Sequence, residues 1–113
     1  MTNLKILITG ASGYVGSRIY KDLKDAGFDV VGTFNNTTLF EELIKADLTD
    51  SQQVKDLIAE VKPQVIVHTA ADAHTNTCEQ NPDFAQKLNV EGTRYLVDEA
   101  KLHAIRFIHL STF

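Results

Sequence analysis

Three glycines spaced three residues apart, Gly10, Gly13 and Gly16, sit where the apolar pattern of this chain changes its period. Before them runs Lys5-Ile6-Leu7-Ile8-Thr9, whose short apolar run has no room for a helix and stops at Thr9. After them the apolar residues fall at Val15, Ile19 and Leu23, a helical spacing. The reading is strand, tight glycine turn, helix. Gly10 opens backbone angles closed to other residues, and Gly13 removes a Cβ from the path of an approaching ligand. Gly16 lets the helix sit close on the strand. The first amides of such a helix lack partners and lie at the positive end of its dipole, so they suit a pyrophosphate. A glycine pattern alone is weak, but a strand before it and a helix after it are the context that gives it meaning.

The remaining sequence repeats the strand–helix alternation. The first strand is expected over about Leu4 to Thr9 and the first helix from about Gly13 to Ala26, with Gly27 as its C′ residue. A second strand, Asp29 to Phe34, precedes the polar loop Asn35-Asn36-Thr37-Thr38, a brief turn over Leu39 to Leu43 and a short strand from Leu43 to Ala46. Thr49 with Gln52 fits a capping box for a helix whose apolar face is Val54, Leu57, Ile58 and Val61, ended by Lys62-Pro63. Val65 to Thr69 reads as a buried parallel strand. After a polar loop over Ala71 to Gln80, Asn81-Pro82 supplies an N-cap and a first-turn proline. The helix that follows runs to about His103, with Phe84, Leu88, Gly92, Leu96 and Ala100 on one face, and Ile105 to Leu110 forms a fifth strand. The fold class is therefore α/β: a doubly wound parallel sheet of the Rossmann type, strand order 3-2-1-4-5, with helices on both faces. Ligands in such sheets bind beyond the carboxyl ends of the strands where strand order reverses, between strands 1 and 4.

Composition removes several functions. The 113 residues make one domain, and 11 Lys plus Arg against 15 Asp plus Glu give a net charge of −4 with no basic cluster, which argues against a nucleic-acid partner. No apolar run is long enough to span a membrane, so no membrane role is expected. Cys78 is the single cysteine, which excludes an internal disulfide and fits a reducing, cytoplasmic setting. The first strand follows Met1 too closely for a signal peptide.

Five motifs in order match one group. They are Thr9-Gly10-x-x-Gly13-x-x-Gly16, Asp47-Leu48, His68-Thr69-Ala70-Ala71, Asn89-Val90-Glu91-Gly92-Thr93 and Ser111-Thr112. Together they resemble the extended short-chain dehydrogenase/reductases, the NAD-dependent epimerase/dehydratase family. Lys62 to Thr112, including Cys78-Glu79-Gln80-Asn81-Pro82, looks most like the dTDP-4-dehydrorhamnose reductase branch.

The resemblance implies a cofactor, NADP or NAD, and a role for each matching residue. Gly10 and Gly16 would shape the loop, and the main chain around Ser12, Gly13, Tyr14 and Val15 would hold the pyrophosphate. Asp47 and Leu48 would flank the adenine, with the carboxylate accepting from its amine. Thr69, Ala70 and Ala71 would pass the nicotinamide ribose, and Asn89 would order the active-site end of its helix. Thr112 would be the catalytic Ser/Thr that bonds the reacting carbonyl or hydroxyl, assisting a tyrosine that exchanges a proton while nicotinamide exchanges hydride.

Two departures qualify the match. Thr33, Phe34, Asn35 and Asn36 end the second strand without the acid an NAD site places there, and Asp29 lies at its wrong end. No Arg or Lys marks a 2′-phosphate, so NAD and NADP both stay open. The family's Tyr-x-x-x-Lys belongs on the helix after the fifth strand, beyond Phe113; Tyr20 to Lys24 has that spacing but lies in the first helix, where its exposed face cannot reach the nicotinamide. It reads as a chance match, and the chain as the front portion of a reductase without the substrate-binding part.

Lesser candidates read more plainly. His74 and Cys78 share a spacing suited to metal but lack a third ligand, and Cys78 lacks an activating neighbour. His68 and His109 read as core or strand-end histidines rather than a catalytic pair. The expected function is the NAD(P)-binding portion of a nucleotide-sugar oxidoreductase, inactive alone, with the sugar-nucleotide substrate met only by the full-length parent. The alternative is a non-catalytic dinucleotide-binding or regulatory subunit. Phe107, Ile108 and Leu110 on an uncovered edge strand predict self-association through strand 5.

Overall fold

The computed structural model describes residues 4–34, 41–69 and 82–110, with the side chains of residues 82–90 outside that description. The described residues form five strands and three helices in the order β1 (Lys5–Thr9), α1 (Tyr14–Asp25), β2 (Asp29–Phe34), β3 (Ile44–Lys45), α2 (Ser51–Val61), β4 (Val65–Thr69), α3 (Pro82–Leu102) and β5 (Arg106–Leu110). The strands form one sheet in the order β3-β2-β1-β4-β5, and every neighbouring pair is parallel. This is the doubly wound, Rossmann-type order expected from the sequence.

The pleat divides the core into two layers. Leu7 of β1 and Ile66 of β4 face α2 and α3, where Val54, Leu57, Ile58, Val61, Leu96 and Ala100 bury against them. The alternate residues Ile6, Ile8 and Val67 face the other way, toward Tyr20, Ile19 and Leu23 of α1. The period-2 alternation of the strands thus supplies a core to both helical layers at once.

The helix ends follow local chemistry. At the close of α1, Gly27 takes φ 94° and donates to the Lys24 carbonyl, as a C′ glycine should. The start of α2 departs from the expected Thr49–Gln52 capping box: Asp50 is the N-cap, accepting from the Gln52 and Gln53 amides. Thr49 is diverted backwards, its hydroxyl donating to Asp47 Oδ1 at 2.6 Å. A carboxylate caps more strongly than a hydroxyl, so the helix begins one residue later. Lys62 closes α2 in the left-handed region, at φ 52°.

Candidate functional site

The carboxyl end of the sheet is built around the turn that leaves β1. Gly10 takes φ 70°, a conformation that strains any residue with a Cβ. The Gly13 amide donates back to the Gly10 carbonyl at 2.9 Å, closing the turn, and the Ala11 amide donates to the Thr33 carbonyl of β2 at 2.8 Å. From β4, Thr69 Oγ1 donates to the Thr9 carbonyl at 2.7 Å. A Cβ on Gly16 would overlap the Gly10 carbonyl oxygen, so α1 is seated directly on the turn.

What this turn leaves unsatisfied defines the site. The N-cap of α1 is Gly13, which offers no side chain, and the first turn contains no acid. The opening amides of α1 lack intrahelical partners, and that first turn gives them no carboxylate. In α2 the same need is met internally by Asp50. Beside the uncapped end, Ser12 Oγ is buried and has no hydrogen-bond partner among the described residues. Donors without partners among the described residues, gathered at a helix N-terminus beyond the carboxyl end of a central strand, fit a phosphate or pyrophosphate group.

The rim around the turn has two further parts. Asp47 and Leu48 follow β3. Asp47 Oδ1 accepts from both the amide and the hydroxyl of Thr49, while Oδ2 makes no hydrogen bond among the described residues. Leu48 is buried beneath α3, where Gly92 comes so close that a Cβ on it would lie 3.1 Å from Leu48 Cβ. Thr69 is 6 % exposed, its hydroxyl clamped on the Thr9 carbonyl.

Under this rim lies His68, 2 % exposed. Its Nδ1 is 2.5 Å from Thr9 Oγ1 and its Nε2 is 2.9 Å from Thr93 Oγ1 on α3. The ring of His109 stacks on it at 5.0 Å. Burial, with a smaller contribution from His109, pushes His68 down to about 4, so the ring is neutral at ordinary pH.

The structure brings Gly10, Ser12, Gly13, Tyr14, Val15, Gly16, Asp47, Leu48 and Thr69 to one end of the sheet. Ala70, Ala71 and Thr112 lie outside the described residues, as do His74 and Cys78; Asn89 is placed in α3 by its backbone alone. Among the described residues no group of His, Cys, Asp and Glu is arranged to hold a metal ion, and no helix is long and apolar enough to cross a membrane.

Tyr20 corrects one expectation. It is not on an exposed face of α1 but 2 % exposed, its hydroxyl donating to Glu42 Oε1 at 3.0 Å, and Lys24 Nζ reaches Glu42 at 2.8 Å. The phenol is large enough to fill the gap between α1 and the segment entering β3, which draws it inward. Two features had little sequence signal: the His68 link, which joins residues 59 and 25 positions apart, and the Gly92 contact with Leu48. A lone small residue in the apolar stripe of α3 was the one available hint of that contact.

Fold and turn together define a doubly wound α/β domain whose first helix opens without a side-chain cap. Residues 4–113 match the family described as RmlD substrate binding domain, and the chain belongs to that family, within the short-chain dehydrogenase/reductase and epimerase–dehydratase group. Methionine adenosyltransferase 2 subunit beta of Bos taurus is 35 % identical over 112 residues, which are 97 % of this chain and 33 % of that protein. UDP-glucose 4-epimerase of Thermus thermophilus, solved with NAD, superposes with a TM-score of 0.78 at 25 % identity, over 90 % of this chain and 35 % of that one. The dTDP-4-dehydrorhamnose reductase of Bacillus anthracis, solved with NADP, gives a TM-score of 0.74 at 25 % identity, over 95 % and 35 %. The chain spans about a third of the length of the curated relatives it matches, 33 %, 28 % and 32 % for the first three.

Proposed function

We propose that this chain is the dinucleotide-binding portion of a nucleotide-sugar oxidoreductase, with NADP or NAD as cofactor. The observation that carries this reading is the uncapped N-terminus of α1 beside the buried Ser12 Oγ, unpartnered among the described residues. The main chain of Ser12, Gly13, Tyr14 and Val15 would hold the pyrophosphate, in a turn whose shape Gly10 and Gly16 permit. Asp47 would offer its uncommitted Oδ2 to the adenine amine, and Leu48 would line the adenine. Thr69, Ala70 and Ala71 would border the nicotinamide ribose, with Asn89 and Thr112 toward the reacting end. When bound, the nicotinamide supplies hydride. Solved relatives that carry NAD and NADP support the cofactor class.

The finer reading is a parent that reduces a 4-keto sugar nucleotide, of the dTDP-4-dehydrorhamnose reductase type. The likeness to the Bacillus anthracis reductase supports it. Calorimetric titration of the folded chain with NADH and NADPH tests the binding role and reads the cofactor choice. Heat from either cofactor is the expected result, and a folded sample that gives none with both overturns the reading.

A second reading, a non-catalytic dinucleotide-binding or regulatory subunit, is favoured by the 35 % identity to a protein named as a subunit. Reading the gene beyond Phe113 separates the two. A Tyr-x-x-x-Lys on the next helix supports the oxidoreductase, and its absence there supports the subunit.

A further inference from the structure

We propose that His68 is a positioning residue that fixes the spacing between the two ends of the dinucleotide site, the turn after β1 and the Asp47–Leu48 segment. The proposal rests on the dinucleotide-binding reading above. On one side His68 Nδ1 meets Thr9 Oγ1, and Thr9 is the last residue of β1, immediately before Gly10. On the other, Nε2 meets Thr93 Oγ1, and Thr93 follows Gly92, where α3 bears on Leu48. One imidazole therefore ties the strand that launches the phosphate turn to the helix that backs the adenine segment.

The chemistry of the ring suits a spacer. A neutral imidazole holds one donor and one acceptor in the plane of a rigid ring, pointing away from each other, so the separation of the two threonine hydroxyls is set by the ring. Each hydroxyl can take the complementary role. Stability alone does not call for this arrangement, since an apolar side chain with apolar partners serves a buried site about as well. His109 stacks on the ring and limits its tilt.

The test uses ligands that span one or both ends. ADP carries adenine and diphosphate and so spans both, whereas inorganic pyrophosphate needs only the turn. In Thr93→Val the hydroxyl is lost at nearly constant volume, and ADP affinity falls by about tenfold while pyrophosphate affinity stays within about twofold. Thr93→Ser, which keeps the hydroxyl, restores ADP binding. An unchanged ADP affinity in a folded Thr93→Val protein overturns the proposal, as does an equal fall for both ligands, which would mark a general loosening. If Thr93→Val does not fold, the comparison passes to His68→Gln and His68→Asn. Glutamine reaches toward the Nε2 position and asparagine toward Nδ1, so each keeps one link and breaks the other. Both lower ADP affinity while leaving pyrophosphate affinity within about twofold; an equal fall for both ligands, or no fall for ADP, overturns the proposal. A wild-type chain that binds neither ADP nor NAD(P)H overturns this proposal together with the reading beneath it, whereas wild-type binding with unaltered variants overturns this proposal alone.

Discussion

Thr69 and Gly10 compete for one position: Thr69 Oγ1, held 2.7 Å from the Thr9 carbonyl, stands where a Cβ on Gly10 would have to go. The strand that leads into the glycine turn and the strand beside it are thus fitted to each other through a missing methyl group. The fit places the turn at the point where strand order reverses, because β1 and β4 are the neighbours on which the two halves of the sheet meet.

Gly10→Ala is therefore expected to cost about 3 kcal/mol, combining left-handed backbone strain with overpacking against Thr69. Gly16→Ala meets the Gly10 carbonyl, a backbone atom that cannot rotate away, and lifts α1 from the turn. Gly27→Ala is the control: φ is 94° there too, but no atom among the described residues lies within 4 Å of the added Cβ, and the cost is about 1 kcal/mol. Urea unfolding of the three variants gives the ranking. A Gly27→Ala loss as large as the Gly10→Ala loss sinks the explanation, and dinucleotide binding should survive only in Gly27→Ala.

His68 makes stability depend on pH with a definite sign. Its folded value, about 4, lies below the ordinary 6.5, so between those limits the unfolded chain binds a proton that the folded one refuses. The contribution is whole above pH 6.5 and is lost as the pH falls through that window, reaching about 3 kcal/mol by pH 4. The difference in unfolding free energy between wild type and His68→Gln, measured from pH 7 to 4, should narrow by that amount. A constant difference across the window refutes it.

Tyr20, Lys24 and Glu42 form a staple between α1 and the segment entering β3. The Lys24 hydrogen bond holds the Glu42 carboxyl down at about 2, and burial raises the Tyr20 phenol above its ordinary value. Glu42 therefore contributes above its ordinary 4.5, and that contribution disappears as the pH falls toward 2. Tyr20→Phe should lower stability by about 1 kcal/mol through the lost hydroxyl bond and leave dinucleotide affinity unchanged. Calorimetry on the folded variant decides; a lost affinity in a well-folded Tyr20→Phe assigns the phenol to the site.

Much of this was legible in the sequence because it is local. β2 and β4 span the ranges expected from the sequence, Asp29–Phe34 and Val65–Thr69, and Val54, Leu57, Ile58 and Val61 are buried as their spacing requires. The turn at Gly10 and the C′ role of Gly27 follow from glycine alone. Local reasoning failed where two residues compete or distant ones meet. Asp50 displaced Thr49 from the α2 cap because Asp47 had already engaged Thr49. Periodicity put Tyr20 on the helix but could not reveal Glu42, which lies 22 positions away. His68 was legible as a core histidine, whereas its two threonine partners come from β1 and α3 and emerge only once the sheet is assembled.

The edge of the sheet gives the last prediction. Among the described residues β5 pairs only with β4, leaving its outer backbone groups without a strand partner, and its three apolar residues differ in fate. Phe107 packs against the α2–α3 layer and Leu110 against the α1 layer, each half-buried. Ile108, beside Val67 in register, is 42 % exposed. An open strand edge with an exposed isoleucine favours pairing with a second copy, and a lysine at such an edge opposes it. We therefore propose self-association through β5. Light scattering should show a molar mass that rises with concentration in the wild type and stays monomeric in Ile108→Lys. Because Ile108 belongs to neither core layer, that substitution should shift unfolding by no more than about 1 kcal/mol. A wild-type chain that remains monomeric at every concentration refutes the edge as a contact.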